Sequence, residues 1–570
     1  MFSSRRFGRL LRVTMAAALL LATVSAGGIA HADETGETTP VLGDSITLNA
    51  GPGSSLNGAN FKVVKLAGFA IQGSAVTVRT EDTVRGDVIA SLPKVGDSEY
   101  PAGAGDADGE TASGTTRGNG GAADTGSGGE DPIVWLARQG DAKDSPVWRL
   151  FADRMAATVS VTDAPVMSGT TTPADDGTIS SVIFAGLQPG LYLLEDANTA
   201  LTGTTRSAPI LVGTAITAAK PPIGNADGTA EIKNQRVTIG KNIINGDDAT
   251  LTDDRNVGDI VDYRIETLIP DTTKYTNDAA NPYVFRLADT LSKGQRFNDD
   301  LSVTASKDGQ AWRPLDGDDY TLQASESDGG TATTIDLDLS AWVYTNGRDG
   351  MAGGLLRVDY SATLTEHATI DGDGNTNTVM LTYSNDPKTN QTGELTPPDT
   401  TVYTHGFQFD KIGEDGKTPL AGATFTLYTA DTFADDAKYR RADRPDEDVT
   451  ATSDRNGLVR FDGLAAGTYW VRETGVPDGY RDLDVRFKVT ITADPGKAAL
   501  VVFERVPSLA DSLVQIEKNG LLFVLNVTTI TNLPLTGSGG IVLFLVIGGL
   551  LAAGGAAIAV MTHRKGRLLK

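Results

Sequence analysis

The sequence contains no cysteine, so the chain has neither a disulfide framework nor a thiolate nucleophile. Histidine is almost as scarce. There are 4 in 570 residues, and His31 and His563 lie close to the ends. A Cys/His nucleophile pair and a zinc site built on several imidazoles are thereby excluded, and no cofactor or metal is expected. Positive charge is also short. Against 73 acidic side chains stand 49 basic ones, a net charge of −24 that argues against nucleic acid and anionic membrane surfaces as partners. No constellation of an enzyme stands out, since stray carboxylate pairs arise by chance in so acidic a chain.

What is present begins at the two ends. Arg5, Arg6, Arg9 and Arg12 precede an apolar segment at 13–26, and Ala30-His31-Ala32 supplies a small-x-small pattern. This reads as a secretory signal over 1–32, cut after Ala32. At 533–570 stand Leu533-Pro534-Leu535-Thr536-Gly537, an uncharged apolar run at 541–561, and a tail with Arg564, Lys565, Arg567 and Lys570. The run is long enough to cross a bilayer as a helix, and the cations hold the tail in the cytoplasm. In this order the parts resemble the cell-wall sorting signal of Gram-positive surface proteins, an LPxTG motif that a sortase cuts between Thr and Gly. The resemblance implies a secreted chain joined through Thr536 to peptidoglycan, touching the membrane only through the 541–561 helix before cleavage.

Between the ends the chain reads as three β-rich domains, at 33–220, 230–399 and 401–531. In the first, strand-like segments fall at 46–49, 61–66, 159–161, 181–184 and 191–194. A Gly/Ala/Asp/Thr-rich insertion at 103–129 has too few apolar residues to pack. Asp144-Ser145-Pro146 offers a helix start running through Trp148, Phe151 and Met155. In the second domain Val261, Tyr263 and Ile265 share a face, as do Leu356, Val358, Tyr360, Ala362 and Leu364. Such alternation at short spacing predicts an antiparallel sandwich. The stretch 395–401 reads as a linker. In the third, Ala423, Phe425 and Leu427 alternate with polar residues, and Asn519-Gly520 marks a hairpin leading to a last strand at 521–529.

Three strands carry a lysine on their apolar parity: Phe61, Val63 and Lys65; Val237, Ile239 and Lys241; Phe407, Phe409 and Lys411. An ammonium directed into a sandwich core costs several kcal/mol unless it is paired or neutralised. In the third domain the same parity directs Glu473 inward with Tyr469 and Val471, and Asn526 inward with Leu522 and Val524. Desolvation pushes such a lysine towards the neutral amine and such an acid towards the neutral carboxyl. The amine can then attack the carboxamide while the carboxyl relays protons and ammonia leaves.

The segment Tyr469-Trp-Val-Arg-Glu473-Thr-Gly-Val-Pro477-Asp-Gly479-Tyr480 resembles the YxLxETxAPxGY box of collagen-adhesin B-type domains in sortase-assembled pilins, with Val471 for Leu and Val476 for Ala. That family implies immunoglobulin-like β-sandwiches in tandem and an isopeptide bond from Lys411 to Asn526 with Glu473 as catalyst, Asn532 being the alternative partner. In the middle domain Lys241, the Phe285-Arg-Leu287-Ala-Asp289 stretch and the Asn375 to Asn385 stretch resemble the middle domain of shaft pilins, which uses Asp in place of Glu. Asn375, Asn377 and Asn385 all share the face of Val379, Leu381 and Tyr383. Parity does not choose among them, and Asn377 is preferred. The closing segment of the first domain, Ala208-Pro-Ile-Leu-Val-Gly213, has no Asn, so Lys65 is expected to be ion-paired or snorkelling.

A shaft subunit also needs a lysine to accept the threonyl group of its neighbour. The family's motif ends in Tyr-Pro-Lys, whereas here Lys233 follows Ala230-Glu231-Ile232, and Lys220 precedes Pro221-Pro222. Lys233 is preferred. The expected partners are sortase, neighbouring pilin subunits and peptidoglycan, and the expected role is a fimbrial shaft subunit that mediates adhesion. The alternative is a lone wall-anchored adhesin, or minor pilin, for a host glycan or matrix protein.

Overall fold

The computed structural model describes residues 39–529 except 52, 59, 95–129, 140–144, 176–177, 199–200, 327–331 and 495. The signal segment with Ala32, the 103–129 insertion, Asn532, the Leu533 to Gly537 motif and the 541–561 run lie outside the described residues. Among the described residues no helix is long and apolar enough to cross a membrane. The chain divides into two compact units, one of 1–199 with 207–233, the other of 200–206 with 234–570.

The first unit is built on the strand Phe61–Gln72, which pairs antiparallel with Gly190–Asp196 and Ala75–Thr80, and Ile210–Gly213 extends that sheet. A second sheet has the order Thr229–Glu231, Ile46–Asn49, Ile179–Phe184, Thr170–Pro173. Ile46, Leu48, Phe61, Phe184 and Leu194 form one core. Leu66, Phe69, Leu191 and Leu193 form another with Trp148, Phe151 and Met155 of the helix Pro146–Ala156. The Gly190–Asp196 strand therefore has apolar neighbours on both faces, which is why it reads as a nearly continuous buried run. Expected as a strand, 159–161 is instead the short helix Val159–Thr162. Its β-branched residues are overridden by packing, because a further helical turn brings Val161 into the core of the preceding helix. The strand Thr229–Glu231 pairs parallel with Ile46–Asn49, so this unit runs to Lys233.

The second unit holds two sandwiches with separate cores. In the first, a sheet containing Ile239–Asn245, Ile260–Leu268 and Leu355–Leu364 faces one containing Thr400–Tyr403, Asn375–Ser384, Phe285–Ser292 and Ala332–Asp338. Val261, Tyr263, Ile265, Leu287, Val358, Val379 and Leu381 fill the space between them. The expected linker at 395–401 is sheet at both its ends, since Thr392–Leu395 and Thr400–Tyr403 both pair with Asn375–Ser384 and only 396–399 lie between the two strands. The alternation that buries Thr400 and Val402 continues the pattern past the prolines.

In the other sandwich, Leu458–Leu464, His405–Ile412, Leu522–Leu525 and Val514–Ile516 form one sheet. Thr450–Thr452, Thr424–Tyr428, Gly467–Gly475, Arg486–Thr492 and Leu500–Arg505 form the second. Gly520, at φ 87°, takes the left-handed position of the turn before Leu522–Leu525. That closing strand is shorter than 521–529 and lies parallel beside His405–Ile412, Val524 opposite Lys411. The first and last strands of the domain are thus neighbours.

Candidate functional site

Both sandwiches of the second unit carry a lysine, an acid and an asparagine in contact inside an apolar core. Lys411 and Glu473 have side chains 0% and 1% exposed. Nζ of Lys411 donates to Oδ1 of Asn526 at 2.6 Å, and Nδ2 of Asn526 donates to Oε1 of Glu473 at 2.9 Å. The same Oε1 is 3.4 Å from Nζ, while Oε2 has no hydrogen-bond partner among the described residues. Phe425 adds an aromatic face 5.9 Å from the amine. Burial pulls the Lys411 amine down to about 8 against the opposing pull of Glu473, and burial raises the Glu473 carboxyl against that of Lys411. Both shifts favour the uncharged pair, and an unpartnered carboxyl oxygen costs less on a neutral acid than on a carboxylate.

In the neighbouring sandwich, Nζ of Lys241 lies 2.7 and 2.6 Å from the two oxygens of Asp289 and 2.5 Å from Oδ1 of Asn377. Burial again lowers the amine, to about 8, and raises the carboxyl, each partly offset by the other's charge. Asn377 is the asparagine at the lysine. Asn375 is used elsewhere, accepting from Thr369 N at 2.8 Å and donating to the carbonyls of Thr369 and Val402. Asn385 is buried, and its backbone pairs with Arg206 and Gln391.

Each arrangement holds an amine against a carboxamide with a carboxyl touching the amine, in a site closed to water. It can support condensation to a secondary amide with release of ammonia. Proximity is fixed by sheet register: Lys411 sits opposite Val524, two residues before Asn526, and Leu291 on the Asp289 strand sits opposite Asn377.

The tyrosines of the middle site were read from the sequence only as core. Tyr360 and Tyr263 stack at 5.4 Å, with Nζ of Lys241 5.7 and 5.4 Å from their ring centres. Tyr360 donates to Asp289 and accepts from Asn377. The available signal was two tyrosines at core parity on adjacent strands, whose buried hydroxyls need partners. A second polar cluster also escaped the sequence. His405, 1% exposed, bonds Asp371 through Nδ1 at 2.7 Å and Asp254 through Nε2 at 2.8 Å, where the two sandwiches meet.

In the first unit Lys65 pairs with Glu81 at 2.9 Å and donates to Gln188 at 3.2 Å. Lys233 is exposed and, with Trp148, Arg149, Ile210 and Glu231, lines a cavity of about 660 Å³ within that unit. Lys220 is also exposed.

Comparison with known proteins finds two domain families. A family described as Gram-positive pilin backbone subunit 2, Cna-B-like domain, matches residues 257–387, and one described as a SpaA prealbumin-like fold domain matches 405–504. The trypsin-resistant surface T6 protein of Streptococcus pyogenes serotype M6 is 24% identical over 266 residues, 44% of this chain and 45% of that protein. The chain thus spans about half the length of the curated relative it matches. Among solved structures, the T6 backbone pilin of S. pyogenes aligns with TM-score 0.43 and 17% identity over 87% of this chain and 90% of the other. The full-length major pilin SpaD of Corynebacterium diphtheriae aligns with TM-score 0.44 and 17% identity over 85% of this chain and 97% of the other. Residues 257–387 are thus similar to the Gram-positive pilin backbone Cna-B-like domain and residues 405–504 to the SpaA prealbumin-like fold domain.

Proposed function

We propose that the chain is the structural subunit of a covalently polymerised surface pilus, carrying two self-formed isopeptide bonds and anchored to peptidoglycan by sortase. The observation that carries this reading is the pair of buried Lys, acid and Asn triads, each with its amine within 2.6 Å of the carboxamide oxygen. In this reading Glu473 and Asp289 are the catalytic carboxyls, Lys411 joins Asn526, and Lys241 joins Asn377. A bond near the ends of each sandwich routes pulling force through covalent links, which suits a fibre under shear. The three domains then lie between a signal segment and a sorting segment, the first of them running on to Lys233.

Sortase cuts between Thr536 and Gly537 and passes the threonyl group to Lys233 of the next subunit, or finally to the wall. The exposure of Lys233 beside a cavity supports this choice. Adhesion to a host glycan or matrix protein is the expected use of the finished fibre. The test is expression on a Gram-positive cell with its pilin sortase. A ladder of high-molecular-weight species that survives boiling in detergent, and is lost with Lys233→Ala, is the expected result. A single band despite normal export would overturn polymerisation and favour the lone adhesin.

A further inference from the structure

The acid of the middle site is one methylene shorter than that of its neighbour, and a hydroxyl spans the difference. In the C-terminal sandwich Nδ2 of Asn526 donates directly to Glu473. In the middle sandwich Nδ2 of Asn377 donates to Oη of Tyr360 at 2.7 Å, and Tyr360 donates to Oδ2 of Asp289 at 2.8 Å. The departing nitrogen therefore has Tyr360 as its hydrogen-bond partner, with Asp289 one bond further on. Tyr360 is held by its place on the Leu355–Leu364 strand, by stacking on Tyr263 at 5.4 Å and by the edge of Phe297 at 5.9 Å.

We propose that Tyr360 is a catalytic proton relay of the middle domain, delivering the proton of Asp289 to the leaving nitrogen of Asn377. This rests on the reading above that Lys241 and Asn377 condense. Nζ of the neutral amine attacks Cγ of Asn377, and a new N–C bond forms. Attack makes Cγ tetrahedral and frees the lone pair of Nδ2, so both hydrogen bonds through Oη reverse: Oδ2 of the protonated Asp289 gives its proton to Oη of Tyr360 as that hydroxyl gives its own to Nδ2. The C–Nδ2 bond breaks, and its electron pair leaves with ammonia. The attacking nitrogen then releases one proton to Oδ1 of Asp289, which it already touches, so the carboxyl is regenerated as the acid and the tyrosine as the phenol. Burial, and after it the Asp289 charge, hold the Tyr360 hydroxyl well above its ordinary value, so it remains a phenol throughout.

The test is a time course of intact mass on chain 33–536, pulse-labelled during synthesis and quenched in denaturant. Each bond removes one ammonia, about 17 Da. Wild type is expected to lose two promptly. Tyr360→Phe, which keeps the ring and its packing, is expected to lose the first at the wild-type rate and the second about a hundredfold more slowly. Adding Asp289→Glu to Tyr360→Phe is expected to restore speed, because the longer acid reaches the carboxamide as Glu473 does. A second loss at the wild-type rate in Tyr360→Phe overturns the relay. So does a slow loss that the longer acid does not rescue, since the tyrosine would then serve packing alone. If wild type and Asp289→Ala both lose a single ammonia, no middle bond forms and the underlying reading fails with the relay, a pattern distinct from the other two.

Discussion

The substitution Glu473→Gln separates catalysis from packing in the C-terminal domain. Gln fills the volume of Glu and leaves no cavity, but it cannot take up and return a proton. Lys411 and Asn526 should then stay unjoined. Their separation of 115 residues sets the stability at stake. By analogy with other cross-links, closing a loop of that size restricts the unfolded chain by about 5 kcal/mol. For a domain a little over a hundred residues long this corresponds to a fall of roughly 15–25 °C in the melting transition of that domain. Scanning calorimetry combined with intact mass reads both quantities on one sample. The expected variant is about 17 Da heavier than wild type, beyond the difference between the two side chains, and melts earlier in one transition only. A variant with the wild-type ammonia losses would refute Glu473 as catalyst. One that keeps the extra ammonia but melts within about 3 °C of wild type would refute the loop-closure argument.

Three further outcomes follow from particular contacts. Asn377→Ala should abolish the middle-domain mass loss, whereas Asn375→Ala should keep it and cost about 1–3 kcal/mol in a denaturant titration, through the unpaired groups left at Thr369 and Val402. Asp289→Ala should cost one ammonia loss and leave the C-terminal one unchanged by mass, the two triads lying in separate cores. Burial alone would lower the His405 imidazole, but its hydrogen bonds to Asp254 and Asp371 outweigh burial and raise it above 6.5. A raised value means stability fully present below about pH 6.5 and lost as pH rises through the folded value. The junction of the two sandwiches should thus melt earlier at pH 8.5 than at pH 5.5 in calorimetry, and His405→Asn should remove that difference; an undiminished difference would place the pH response elsewhere.

The buried triad residues were legible because strand parity has a period of two. Lys411, Glu473 and Asn526 each fell two residues from an apolar neighbour in the pattern, and each is buried. Parity could not separate Asn375 from Asn377, because both point inward; only the register that sets Asn377 opposite Leu291 distinguishes them. Tyr360 was legible as core and not as chemistry, since its partners come from two other strands of the facing sheet. The first unit was read less well. One of its sheets is covered by helices on one face, and the strand Thr229–Glu231 joins the other sheet by a parallel pairing with no turn signal to mark it. The His405 cluster was invisible for a similar reason, because Asp254 and Asp371 lie 151 and 34 residues away along the chain.

The most direct test of the central claim is high-resolution intact mass of chain 33–536, followed by protease digestion and sequencing of branched peptides. The account predicts two ammonia losses of about 17 Da each, with branches joining Lys241 to Asn377 and Lys411 to Asn526. A mass equal to that of the unmodified sequence, with both lysines recovered in linear peptides, would contradict it.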